Sequence, residues 1–150
     1  MYRHPANPIL TRDDIPNIHP QLIDATSVFN PGAIKFNGKY LLILRTQARS
    51  RETFLVMADS DNGVEFMVRD KIVNMKGIEK VEGKVFHIYD ARLTEIEGRY
   101  FVMFAMDMEG GCQLGVAETK DFENFDFLGI ASNEDIRNGV LFPEKVNGKY

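Results

Sequence analysis

The chain has 150 residues, 44% of them hydrophobic, enough for one compact domain. Its net charge of −4 comes from 18 basic and 22 acidic residues mixed along the chain, which excludes the concentrated basic face that nucleic acid or a membrane surface requires. An anionic small molecule, held by a few local cations, is not excluded.

The first residues carry no basic-then-apolar leader, because Pro5 and Pro8 interrupt them and Asp13-Asp14 follow. A first hairpin is predicted at Ala33–Phe36, Asn37-Gly38 and Lys39–Leu44, since Asn-Gly supplies the two positive φ angles of a type I′ turn. A third strand follows at Thr53–Ala58, then a polar turn at 59–63 and a short fourth strand around Phe66. The stretch Asp70–Gly83 is too broken by Gly77 for a helix and reads as an excursion between units. The same order then recurs: Leu93–Ile96, Glu97-Gly98, Arg99–Ala105, Gln113–Glu118, a turn at 119–121, and Phe125–Leu128. The longest apolar runs, Tyr40–Leu44 and Tyr100–Met106, fall well short of the roughly 20 residues of a spanning helix. A soluble cytoplasmic protein is the expectation.

The recurrence is an internal repeat. Gly38-Lys39-Tyr40 and Gly98-Arg99-Tyr100 lie 60 residues apart, and Gly148-Lys149-Tyr150 follows the second after 50. Asp61 falls on Asp121 in this alignment, and Phe66 falls one residue out of step with Phe125. Four antiparallel strands at such a period are the signature of a β-propeller blade. The chain is therefore expected to be one all-β propeller domain, with blades at about 28–69 and 88–130 and a truncated one from 137. Propellers close with at least four blades. About two and a half are present, so the expected partners include further blades or another chain, with a homo-oligomer as one form of the latter.

Each first strand is expected to open on polar residues, at Phe29-Asn30, Tyr89-Asp90 and Arg137-Asn138, where neighbouring blades share a central pocket. Asp90 follows Phe86-His87-Ile88-Tyr89 and stands two residues before Arg92, so an extended strand puts both on one face. Flanking aromatics favour the protonated carboxyl that a general acid needs, while Arg92 favours the ionised form. The bland reading is a strand-end carboxylate paired with Arg92. Arg45, Arg49 and Arg51 read equally as solvated charges, whereas Arg137-Asn138-Gly139 combines a guanidinium, an amide and a pliable backbone that suit phosphate. Cys112 is the only cysteine, and His4, His19 and His87 lack metal-pair spacing, so no disulfide framework and no metal is expected.

Five segments taken together, Asn7-Pro8-Ile9-Leu10, Val28–Ala33, Leu44-Arg45-Thr46-Gln47, Tyr89-Asp90-Ala91-Arg92 and Arg137–Pro143, resemble glycoside hydrolase family 130, the inverting β-mannoside phosphorylases. The Phe-Asn-Pro-Gly-Ala form is similar to the branch that acts on β-1,4-mannooligosaccharides or mannosyl-N-acetylglucosamine. The resemblance implies a five-bladed propeller of about twice this length. It also implies phosphorolysis of a terminal β-1,4-mannosyl unit to α-mannose 1-phosphate with inversion. Asp90 then matches the sole catalytic acid, acting through the 3-hydroxyl of the mannosyl ring. Asn30, Arg45 and Arg51 match the mannosyl subsite, Arg92 is grouped with them as an orienting partner, and Arg137 with Asn138 matches part of the phosphate site. Inorganic phosphate is the co-substrate, and no cofactor is implied. Tyr-Asp-Ala-Arg stands where Tyr-Asp-Pro-Arg is commoner in the family.

The chemistry agrees with the residue inventory. An inverting glycosidase needs a second carboxylate to activate water, roughly 6.5–9.5 Å from the acid. Phosphate is already anionic, so one acid and a cationic clamp suffice. The alternatives are a β-mannoside hydrolase on the same scaffold, or a non-catalytic propeller fragment that binds glycans or mediates assembly. Gln47, Arg49 and a Met106–Cys112 loop are candidates for the acceptor side.

Overall fold

Two antiparallel meanders make up the regular structure. The computed structural model describes residues 3–132 and 134–150. It divides into two compact units, Met1–Ile72 and Val73–Tyr150.

In the first unit, β1 (Ser27–Phe36), β2 (Lys39–Gln47), β3 (Thr53–Ser60) and β4 (Met67–Ile72) form one sheet in that order. Asn37 and Gly38 join β1 to β2 with φ of 47° and 82°, the paired left-handed conformations whose twist matches that of the strands. The run Leu41–Leu44 in β2 is apolar throughout because both of its faces are covered: Leu41, Ile43 and Leu44 are all buried. Leu44 packs with Val56 and Ala58 of β3 against Ile15, Leu22 and Ala25 of the N-terminal segment. Complete burial of one such leucine contributes about 1.5–3 kcal/mol. That segment is shaped by a single 3-10 turn, Arg12–Asp14, whose Thr11 and Asp14 side chains close a reciprocal capping box.

The second unit repeats the plan. Strands β6 (Val85–Ile96), β7 (Arg99–Met108), β8 (Gly111–Thr119) and β9 (Phe125–Ser132) form a meander, and the two-residue β5 (Met75–Lys76) pairs parallel with β9. Glu97 and Gly98 turn β6 into β7 with φ of 52° and 75°. Val102, Phe104 and Met106 of β7 and Cys112, Ala117 and Phe122 are buried in this unit.

Several sequence expectations are corrected. The first strands do not open at Asn30 and Asp90: β1 begins at Ser27 and β6 at Val85, so both polar residues lie inside long strands. Residues 137–142 form no strand, although Asn147 and Gly148, at the third Gly-basic-Tyr triplet, turn with φ of 52° and 79° as the chain does at the other two. The stretch Asp70–Gly83 is only partly an excursion, because Asp70–Ile72 completes β4 and Met75–Lys76 edges the second sheet. Residues 106–112 are not a loop either. Glu109 and Gly110 alone turn between β7 and β8.

The repeat itself shifts by one residue between strands. Ser60 Oγ accepts from the N–H groups of Asn62 and Gly63, and Asn62 Oδ1 from those of Val64 and Glu65. Thr119 Oγ1 accepts from Asp121 and Phe122, and Asp121 Oδ1 from Glu123 and Asn124. The partner of Asp121 is thus Asn62 rather than Asp61, and Phe66 and Phe125 then fall in step. Among the described residues no helix is long and apolar enough to cross a membrane.

Candidate functional site

The same backbone irregularity occurs once in each unit. Phe29 pairs with Arg45 and Gly32 with Ile43, so two residues, Asn30 and Pro31, stand opposite one. Tyr89 pairs with Ala105 and Arg92 with Met103, so Asp90 and Ala91 also stand opposite one. These are β-bulges, and the first residue of each is left-handed: φ is 47° at Asn30 and 53° at Asp90. Asn and Asp reach this region at the least cost of any side-chain-bearing residues. Strained backbone of this kind is characteristic of functional positions.

In the first unit Asn30 is exposed at its bulge. Arg45 is not at a strand end, because β2 continues to Gln47; its guanidinium lies over the Phe29 ring at 4.4 Å from the centroid. That stacking holds a planar cation beside the bulge residue. Arg51 sits in the turn after β2 with φ 72°, its N–H donating to the Ala48 carbonyl at 3.0 Å and its own carbonyl accepting from Gln47 Nε2. Arg49 pairs with Asp24 at 3.3 Å.

In the second unit Asp90 is half-buried. The bulge resets the alternation of the strand, so Arg92 is in phase with Tyr89 across β7 rather than with Asp90. The shared face expected from simple alternation is therefore absent. Arg92 Nη1 donates to the Ala91 carbonyl at 3.1 Å, a contact that braces the bulge from its C-terminal side.

Tyr89 links this bulge to the more distant arginine. Its hydroxyl is 3.3 Å from the Sγ of buried Cys112 and accepts from Arg137 Nη1 at 3.5 Å. Burial first, and then the Cys112 contact, pushes the tyrosine pKa up to about 12, so the hydroxyl stays neutral through the physiological range. Arg137 also faces Asp135 at 3.9 Å, and Asp135 Oδ1 accepts from the Cys112 N–H at 3.0 Å. Asn138 is exposed beside it. Sequence reasoning missed Tyr89, Cys112 and Asp135 as members of one cluster. Tyr89 was visible as the neighbour of Asp90, but nothing in the sequence announced that Cys112 and Asp135 fold back onto it. Among the described residues no group of three or more His, Cys, Asp or Glu side chains is placed to hold a metal.

Two four-stranded meanders with a polar, left-handed bulge at the same place in each define the class: a β-propeller protein, read blade by blade. A solved β-1,2-mannobiose phosphorylase from Listeria innocua has this fold, superposing with a TM-score of 0.83 at 24% identity over 98% of this chain and 56% of that one. The family model for glycoside hydrolase family 130, described as β-1,4-mannooligosaccharide phosphorylase, matches residues 1–150, and the chain belongs to that family. Its fold is that of part of a five-bladed propeller. A β-1,4-mannooligosaccharide phosphorylase of Ruminococcus albus is 31% identical over all of this chain and 44% of its own length. A β-1,2-mannobiose phosphorylase of Listeria innocua is 27% identical over all of this chain and 56% of its own length. The chain thus spans about half the length of these curated relatives.

Proposed function

We propose that the protein is a β-mannoside phosphorylase that transfers a terminal mannosyl unit to inorganic phosphate and releases α-mannose 1-phosphate with inversion. One observation carries the reading. Arg137, the cation suited to phosphate, is hydrogen-bonded to the hydroxyl of Tyr89, the residue immediately before the carboxyl group of Asp90. Acid and anion clamp are thereby tied together within one unit.

In this reading Asp90 is the acid that delivers the proton to the departing glycosidic oxygen, through the 3-hydroxyl of the mannosyl ring. Its left-handed bulge fixes where the carboxyl leaves the strand. Arg137 and Asn138 bind phosphate by charge-assisted and neutral hydrogen bonds, leaving an oxygen to attack the anomeric carbon from the opposite face. The nucleophile arrives already charged, so the reaction requires no carboxylate base. Asn30, Arg45 and Arg51 bind the mannosyl unit. Arg45, stacked on Phe29, supplies its planar donor fork to the hydroxyls, and Arg92 orients the strand. The repeats at 28–69 and 88–130 are each read as one propeller blade, with a truncated third from 137.

The linkage proposed is β-1,4. It is supported by the description of the family model and by the Ruminococcus albus relative, against a Listeria innocua relative named for β-1,2-mannobiose. The test supplies β-1,4-mannobiose and β-1,2-mannobiose separately to the protein at its native length, with and without inorganic phosphate. Phosphate-dependent mannose 1-phosphate from the β-1,4 substrate is expected. Equal release of free mannose without phosphate would identify a hydrolase instead, and preference for the β-1,2 substrate would overturn the linkage.

A further inference from the structure

Residues 135–141 form no strand, yet alternate residues of the segment are fastened to the second unit. Asp135 accepts from the Cys112 N–H at 3.0 Å, Arg137 donates to the Tyr89 hydroxyl at 3.5 Å, and the Leu141 carbonyl accepts from Thr94 Oγ1 at 3.1 Å. Gly139 completes the series by shape. A methyl group on its Cα would lie 2.5 Å from Leu114 Cδ1 and 3.5 Å from Met103 Cγ, and both of those side chains are buried. Carbon atoms do not approach to 2.5 Å, so with Leu114 where it stands only glycine lets the segment lie this close. The φ of Gly139 is outside the left-handed region, so closeness of approach, not backbone freedom, is what the position demands.

We infer that Gly139 is a positioning residue for phosphate binding: its bare Cα seats the 135–141 segment against Leu114 and Met103, and so sets the reach of Arg137 beside Tyr89. This rests on the phosphorylase reading of Arg137. Arg137 lies two residues from the contact, and its side-chain ties are long, at 3.5 Å to Tyr89 and 3.9 Å to Asp135. The segment's position therefore decides where the guanidinium stands. A side chain at 139 either displaces Leu114 within a packed interior or lifts the segment, and lifting moves Arg137 away from Tyr89.

The test is a double-mutant cycle in the protein at its native length, read as KM for phosphate and kcat at saturating phosphate. Gly139→Ala is expected to raise the phosphate KM roughly ten- to a hundredfold, a misplacement of about 1 Å being able to cost about a hundredfold, with the mannoside KM little changed. Leu114→Ala, which loosens the same contact from the other side, is expected to raise it as well. The double variant, in which the new methyl occupies the space vacated by Leu114, is expected to recover most of the loss. A structural defect alone would lower the active fraction and kcat, and would not raise one KM selectively. If Gly139→Ala does not fold, Leu114→Ala decides alone: an unchanged phosphate KM overturns the inference, as does a folded Gly139→Ala with unchanged phosphate KM or a double variant no better than its parents. Absence of any phosphate-dependent release by the wild-type protein would instead overturn the phosphorylase reading, so the two failures are told apart.

Discussion

A left-handed backbone costs a residue with a side chain about 1–2 kcal/mol, and Asn30 and Asp90 both carry it at matching bulges. The energetic consequence is separable from chemistry. Asp90→Gly removes the strain together with the carboxyl, whereas Asp90→Ala keeps the strain and removes the same carboxyl. Asp90→Gly is therefore expected to be more stable than Asp90→Ala by about 1 kcal/mol in urea denaturation, with both inactive. Equal stability would show that the bulge is not strained. The sequence made these residues visible as polar positions among apolar neighbours, and it made the tyrosine next to Asp90 visible too. It could not reveal the bulge, because a two-residue alternation carries no sign of the one extra residue that resets it. That is why Arg92 was expected on the face of Asp90 and lies in phase with Tyr89 instead.

Turns decide how well the elements were legible. Asn37-Gly38 and Glu97-Gly98 announce their hairpins because few residues accept two successive positive φ angles. At Gly98 an added methyl would touch nothing within 4 Å, so the cost of Gly98→Ala is purely conformational. A loss of about 1 kcal/mol, read as a lowered Tm, is expected there. The turn before β9 makes a second prediction. Asp121 is held down to about 2, from an ordinary 3.8, chiefly by the Asn124 N–H, then by the Asn124 side chain and the Glu123 N–H. A depressed carboxylate stabilises the fold above its ordinary pKa, and the contribution fades as pH falls from about 4 toward 2. Asp121→Asn, which copies Asn62 of the first repeat, keeps the acceptor and removes the titration. Its stability deficit against wild type is expected to shrink over that pH window, and a deficit independent of pH would contradict the assignment. Strand ends were less legible than turns. The two-residue β5 has no periodicity to detect, and β4, expected around Phe66, lies at Met67–Ile72 because its charged residues Arg69, Asp70 and Lys71 masked its later half. Arg69 is explained by its partner across the sheet, Asp59, at 2.6 Å.

For the molecule as a whole, the internal repeat carried more information than composition did. Two Gly-basic-Tyr triplets 60 residues apart already imply two copies of one meander, and the structure supplies them as two four-stranded meanders of the same order, the second with β5 added at its edge. What the repeat could not carry was the tertiary return of residues 135–141 onto β6, β7 and β8, which joins Arg137 to Tyr89 through contacts 48 residues apart in sequence. Under the proposed function, that joining brings Arg137, the proposed phosphate-binding cation, to the strand of Asp90, the proposed acid. The most direct measurement is mannose 1-phosphate release from β-1,4-mannobiose as phosphate is varied, comparing wild type with Asp90→Asn in the protein at its native length. The account predicts product that rises with phosphate and saturates in the wild type, and a fall of roughly a hundredfold or more in kcat for a folded Asp90→Asn. Undiminished phosphorolysis by Asp90→Asn, or sugar release indifferent to phosphate in the wild type, would contradict it.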